Sequence, residues 1–210
     1  LTSANSINIG RFLPQTVYYF WAWKQLSAEE RQNLTIAVPS GNYGNLSAGI
    51  LAHKMGLPVR KFVAASNINR VFPDYLETGK YEPRQAVRTL SNAMDVGNPS
   101  NFVRITEMFH NQHSSATEIV KSHVADDDQT KDTIKQVYDQ HGYMLDPHGA
   151  VGYLGCKEHL NNDETGIFMG TAHPGKFKES VEASIGKEID LPDSLKEIQN
   201  KEKKAVKIPP

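Results

Sequence analysis

The chain has 210 residues, 23 basic and 24 acidic, for a formal net charge of -1. Near-neutral, evenly spread charge argues against a nucleic-acid surface, and no apolar run is long enough to span a membrane. One cysteine excludes an intramolecular disulfide framework and fits a reducing, cytosolic setting. The opening Leu-Thr-Ser-Ala-Asn has no initiator methionine and leads almost at once into a helical pattern, which reads as a piece starting in mid-fold.

Ser3-Ala4-Asn5-Ser6 supplies capping residues for a helix expected over about 8 to 26. Its apolar positions, including Ile9, Phe12, Leu13, Tyr19, Phe20 and Trp23, follow helical spacing, so its aromatics read as core and interface packing. A βαβ unit follows: strand Leu34–Val38, helix Leu46–Met55 and strand Val59–Ala65. Gly56 and Pro58 end the helix between the strands. A βαβ crossover implies parallel strands covered on both faces. The fold class is therefore α/β, a twisted and mostly parallel sheet with helices on both sides.

Residues 73 to 98 are polar and rich in turn formers, and read as a mobile loop or an active-site wall. Helices are expected at about 100 to 111, at Thr130–Gln140 behind Asp126-Asp127-Asp128, and after the cap-and-proline pair Asp146-Pro147. The three aspartates read as a helix cap, because the spacing of a calcium loop is absent. A buried strand at 166 to 170 ends in Thr171-Ala172-His173-Pro174-Gly175-Lys176-Phe177, and a further helix carries Val181 and Ile185. Residues 1–188 form the folded unit in this reading, and 189–210 a charged peripheral tail.

Two loops thus follow parallel strands at their carboxyl ends, where open α/β sheets bind ligands. The first, Ser40-Gly41-Asn42-Tyr43-Gly44-Asn45, joins a strand to a helix start and offers backbone N–H groups to an anion. Gly41 and Gly44 are expected to take positive φ, with Asn42 and Asn45 adding side-chain donors. The loop lacks the Gly-Lys-Ser/Thr ending of a nucleotide P-loop and the spacing of a dinucleotide fingerprint. A monophosphate fits it better than either; a plain βα turn is the competing reading.

Four segments resemble threonine synthase: Ser3 to Ile9, Val38 to Asn45, Leu90 to Asn101, and Gly170 to Phe177. They run in order over nearly the whole chain, with Tyr43 where the family usually has phenylalanine and Gly175 where alanine is frequent. The resemblance implies a pyridoxal-phosphate enzyme of fold type II, a carbon–oxygen lyase acting on phosphates, in threonine biosynthesis. Its reaction converts O-phospho-L-homoserine and water to L-threonine and phosphate. Ser40, Gly41, Asn42, Tyr43, Gly44 and Asn45 would hold the cofactor phosphate, and Thr171 would face the pyridine nitrogen.

The family's Schiff-base lysine belongs to a Phe-Lys-Asp segment upstream of the matching region, so no residue here takes the catalytic role. The chain then corresponds to the carboxyl-terminal half of the enzyme, with the amino-terminal half as its partner, and would be inactive alone. A threonine or serine dehydratase and a non-catalytic phosphate-binding module are the alternatives. Asn5, Ser6, Asn8 and Arg11 suit either substrate phosphate or helix capping, and Lys176 either phosphate or a structural corner. The eight histidines form no persuasive metal site.

Overall fold

The computed structural model describes residues 6–199 and 201. The first helical segment is split: α1 (Ile9–Phe12) and α2 (Thr16–Gln25) are joined by a 3-10 turn at Leu13–Gln15 containing Pro14. The cap is Asn8, whose side chain accepts from Gly10 N at 2.9 Å. This replaces the cap expected at Ser3 to Ser6, of which residues 3 to 5 lie outside the described residues. Tyr19 is buried, while Tyr18 and Trp21 face solvent.

Strand β1 (Leu34–Pro39) leads into α3 (Gly44–Lys54) and β2 (Lys61–Ser66). The stretch expected to be loop from residue 73 begins inside a helix, α4 (Val71–Thr78). Pro73 is tolerated there because the first turn of a helix needs no N–H from it. A segment without regular structure and a 3-10 turn at Asn92–Met94 precede α5 (Phe102–Met108). Helix α6 (His113–Ile119) runs directly into β3 (Val120–Val124), and neither was expected from the sequence.

Next come α7 (Asp127–His141), α8 (Pro147–His159), β4 (Thr165–Phe168), α9 (Lys178–Ile185) and α10 (Asp193–Gln199). Asp126 caps α7 through a capping box with Gln129, so the aspartate run does serve a helix start. Ile189 and Leu191, in the stretch read as tail, are buried.

The four strands are all parallel, in the order β3-β2-β1-β4. From β1 the chain winds outward through β2 and β3, then returns to the other side of β1. Winding therefore reverses between β1 and β4, and a crevice opens beyond their carboxyl ends.

Alternate strand residues divide the core. Leu34, Ile36, Val38, Phe62 and Ala64 join the large cluster with Tyr19, Leu46, Ile50 and Phe72. Full burial of one such side chain, as for Phe62, contributes about 1.5–3 kcal/mol. Ala37, Val63 and Ala65 turn to the opposite face, which α8 covers. These side chains are smaller because α8 lies close to the sheet: a Cβ on Gly152 would sit 2.8 Å from Pro39 Cγ, and one on Gly155 3.0 Å from Ala65 Cβ. A further cluster, with Ile134, Val137, Leu145, Val181 and Ile185, joins α7, α8 and α9.

Candidate functional site

The loop after β1 starts in register with the sheet, because Ser40 N donates to Ala65 O at 2.8 Å. Tyr43, and neither glycine, takes the left-handed conformation, with φ 57°. The expectation of positive φ at Gly41 and Gly44 is thereby corrected. Their requirement is close approach: a Cβ on Gly41 would lie 2.4 Å from Met94 Cα, and one on Gly44 2.5 Å from Ser6 Cβ. Tyr43 is held in its costly geometry from both ends. Its Oη lies 2.7 Å from Ser66 Oγ, and its ring packs on Phe72 with centroids 4.5 Å apart.

Helix α3 starts without a side-chain cap. At α7 and α8, by contrast, Asp126 and Asp146 accept the first free N–H groups. The open N-terminus of α3 presents donors and the positive end of a helix dipole to whatever sits against the loop.

The two asparagines do not serve simply as spare donors. Asn42 Nδ2 donates to Ser6 Oγ at 3.0 Å, and Asn42 Oδ1 accepts from Ser100 N at 2.6 Å and Ser100 Oγ at 2.9 Å. Asn101 Nδ2 donates to Asn42 O at 2.8 Å and to Ser6 Oγ at 3.0 Å. Tyr19 Oη shares its proton between Asn45 Oδ1 at 2.7 Å and Asn45 O at 2.8 Å. These contacts commit the side chains to shaping the loop, which leaves backbone N–H groups as its main donors.

Strand β4 is prolonged when Met169 N donates to Ala37 O at 2.9 Å, and Thr171 follows two residues later. A cavity of about 200 Å³ is lined by Ser40 to Asn45 from one side and Thr171 from another, together with Ser6, Gln15, Pro39, Ala93, Met94 and His148. The two loops expected to face one site therefore meet. Gln15, Ala93 and His148 were not anticipated as site residues; Ala93 lies within the Leu90 to Asn101 segment and His148 follows the Asp146-Pro147 pair, while nothing in the sequence marked Gln15.

The remaining candidates separate. Ser6 and Arg11 line an adjoining cavity of about 610 Å³ that shares Ser6, Asn42 and Ala93 with the first. Asn8 is the α1 cap, and Asn5 lies outside the described residues. Lys176 lines a different cleft, beside Arg88, Asn92 and Lys178. Among the described residues no lysine lines the cavity between the two loops. His173 Nδ1 accepts from Gly175 N at 3.0 Å and so fixes its own turn. Cys156 is buried, and burial pushes its thiol upward. Among the described residues no group of histidine, cysteine and carboxylate side chains could hold a metal ion, and no helix is long and apolar enough to cross a membrane.

A parallel sheet with an open helix start after β1 and a hydroxyl loop after β4, meeting where the winding reverses, defines an α/β protein of fold type II. The family described as "Threonine synthase, C-terminal" matches residues 149–210. Threonine synthase of Haemophilus influenzae is 48% identical over 195 residues, which cover 93% of this chain and 45% of that protein. The crystal structure of threonine synthase from Escherichia coli superposes with a TM-score of 0.91 at 46% identity, over 95% of this chain and 46% of that one. The pyridoxal-phosphate-bound threonine synthase of Brucella melitensis gives 0.87 at 32% identity, over 96% and 48%. The chain matches the carboxyl-terminal portion of threonine synthases and spans about half the length of the relatives it matches.

Proposed function

We propose that this chain is the cofactor-anchoring portion of a threonine synthase, which converts O-phospho-L-homoserine and water to L-threonine and phosphate. The observation that carries this reading is the meeting of Ser40–Asn45 and Thr171 on one cavity at the sheet's switch point. The residues fit pyridoxal 5'-phosphate. Ser40 to Asn45 and Thr171 line one cavity, and the open start of α3 supplies donors for a phosphate.

When bound, pyridoxal phosphate supplies the electron sink for proton removal and replacement at the carbons of an amino acid. Backbone N–H groups of the loop beyond Ser40, whose own N–H is given to Ala65 O, and those of the first turn of α3 would hold its phosphate. Thr171 offers a neutral hydroxyl to the ring nitrogen; unlike a carboxylate, it does not hold that nitrogen protonated, which moderates the sink. Arg11, exposed on the adjoining cavity with Ser6, presents a planar fork suited to the substrate phosphate. Asn8 and Lys176 have weaker support, the first being engaged as a cap and the second lying in another cleft.

The Schiff-base lysine comes, in this reading, from the amino-terminal portion of the family that this chain does not span, and that portion is its partner. A near-neutral charge, a single buried cysteine and the absence of a spanning helix among the described residues favour a cytoplasmic enzyme acting without nucleic acid or membrane. Titration with pyridoxal phosphate tests the anchoring role: saturable 1:1 binding, lost in Gly41→Ala, is expected. Failure to bind would overturn it. Phosphate release from O-phospho-L-homoserine should appear only when the amino-terminal portion of a relative is supplied. Turnover by the chain alone would contradict the assignment of the lysine.

A further inference from the structure

Asp146 and His148 form a buried polar pair, each 3% exposed, at the start of α8. His148 Nδ1 lies 2.7 Å from Asp146 Oδ2, which also accepts from His148 N at 3.0 Å, while Asp146 Oδ1 accepts from Gly149 N at 3.0 Å. On its other side, His148 Nε2 lies 3.2 Å from Ala93 N. A backbone N–H can only donate, so Nε2 must carry a lone pair. The ring proton then sits on Nδ1 and is given to Asp146, which fixes both tautomer and ring orientation.

This imidazole touches both walls of the cavity. Ala93 belongs to the 3-10 turn Asn92–Met94, the turn whose Met94 backbone lies against Gly41. The Phe177 ring, from the segment that follows Thr171, packs on His148 with centroids 4.9 Å apart. His148 itself lines the cavity with Ser40–Asn45 and Thr171.

We propose that His148 is a positioning residue for the anion site. Held as the Nδ1–H tautomer by Asp146, it pins the Asn92–Met94 turn behind Gly41 and sets its distance from the Thr171 segment. The proposal rests on the reading of the cavity as a phosphate site, and it makes the width of that site depend on one hydrogen bond from Ala93.

Three variants of the whole chain test it. His148→Met keeps bulk and removes the acceptor, His148→Gln offers a carboxamide oxygen to Ala93, and Asp146→Asn keeps a capping side chain while favouring the other tautomer. Nitrogen-15 spectra of the wild-type ring should show Nε2 unprotonated. Ala93 amide exchange should accelerate about tenfold or more in His148→Met and Asp146→Asn, with amides of β2 unchanged, and recover in His148→Gln. Dissociation constants for inorganic phosphate and pyridoxal phosphate should rise about tenfold in the first two variants and stay within about threefold in the third.

An Nε2–H ring, Ala93 exchange indifferent to His148→Met, or a glutamine variant no better than methionine would overturn the proposal. If the wild-type chain binds neither anion, the proposed function fails instead, and the spectra and exchange rates still decide the role of His148.

Discussion

Tyr43 Oη and Ser66 Oγ, both buried, lie 2.7 Å apart and join the nest's one residue with positive φ to the carboxyl end of β2. The bond crosses from the loop after β1 to the neighbouring strand, so it ties the nest's backbone to the sheet. Tyr43→Phe leaves the Ser66 hydroxyl without this partner and should cost about 1–3 kcal/mol. For a chain of this size each kcal/mol lowers Tm by roughly 2–4 °C, and calorimetry measures it. An unchanged Tm would show that the hydroxyl pair is not what holds the left-handed turn.

Gly41 and Gly44 should fail differently when replaced by alanine. The Gly41 Cβ would strike the Met94 backbone, which has nowhere to go, whereas the Gly44 Cβ would strike the Ser6 side chain. We expect Gly41→Ala to cost about 1–3 kcal/mol of stability and to abolish anion binding. Gly44→Ala should be partly rescued by Ser6→Gly, since that removes the clashing atoms. Paired melting and phosphate titrations of the single and double variants would show this; equal damage at both positions would contradict it.

Acid stability should depend on Glu164. Its side chain is fully buried, with carboxylate oxygens 2.9 Å from Lys61 Nζ, 3.1 Å from Arg60 Nε and 2.9 Å from Thr35 Oγ1. Burial alone would raise its pKa, but the bonds from Lys61, Asn161 and Thr35 outweigh it and lower the value to about 2. Because the folded value is depressed, the stabilisation is complete above the unfolded value near pH 4.5 and fades as pH falls towards 2. Glu164→Gln should flatten the stability profile across that window and cost about 3 kcal/mol at neutral pH. Urea melts at stepped pH test both effects, and an unaltered acid slope would exclude Glu164 as its source.

Ile9, Leu13, Val17 and Trp21 recur every four residues through α1, the 3-10 turn and α2, and all are exposed. A contiguous apolar strip of this kind should bind the hydrophobic dye ANS. Val17→Glu with Trp21→Glu should lower the dye signal by about half without lowering Tm. A signal unchanged in that double variant would locate the exposed apolar surface elsewhere.

Strand β1, its loop and α3 were legible because a short apolar run, Pro39 and two glycines punctuate the chain within a few residues. The roles of the glycines were not legible. Positive φ is the usual reason for glycine in a turn, but here it falls on Tyr43, and the glycines make way for Met94 and Ser6, which are remote in sequence. Strand β3 was missed because Lys121, Ser122 and His123 interrupt its apolar pattern, and among the described residues it is an edge strand paired with β2 alone. Helix α4 was hidden by Pro73. His148 could not be found by pattern, since its importance lies in meeting Ala93 across 55 residues.

The pairing of the final strand with the first has a consequence for synthesis. Asn33 and Asp163, just ahead of β1 and β4, are hydrogen-bonded across 130 residues of chain. At roughly 5–20 residues per second, a ribosome releases the glycine loop on the order of ten seconds before the wall bearing Thr171 exists. Until then β1 has one unpaired edge, and the nascent chain carries the glycine loop open on the side that β4 will close.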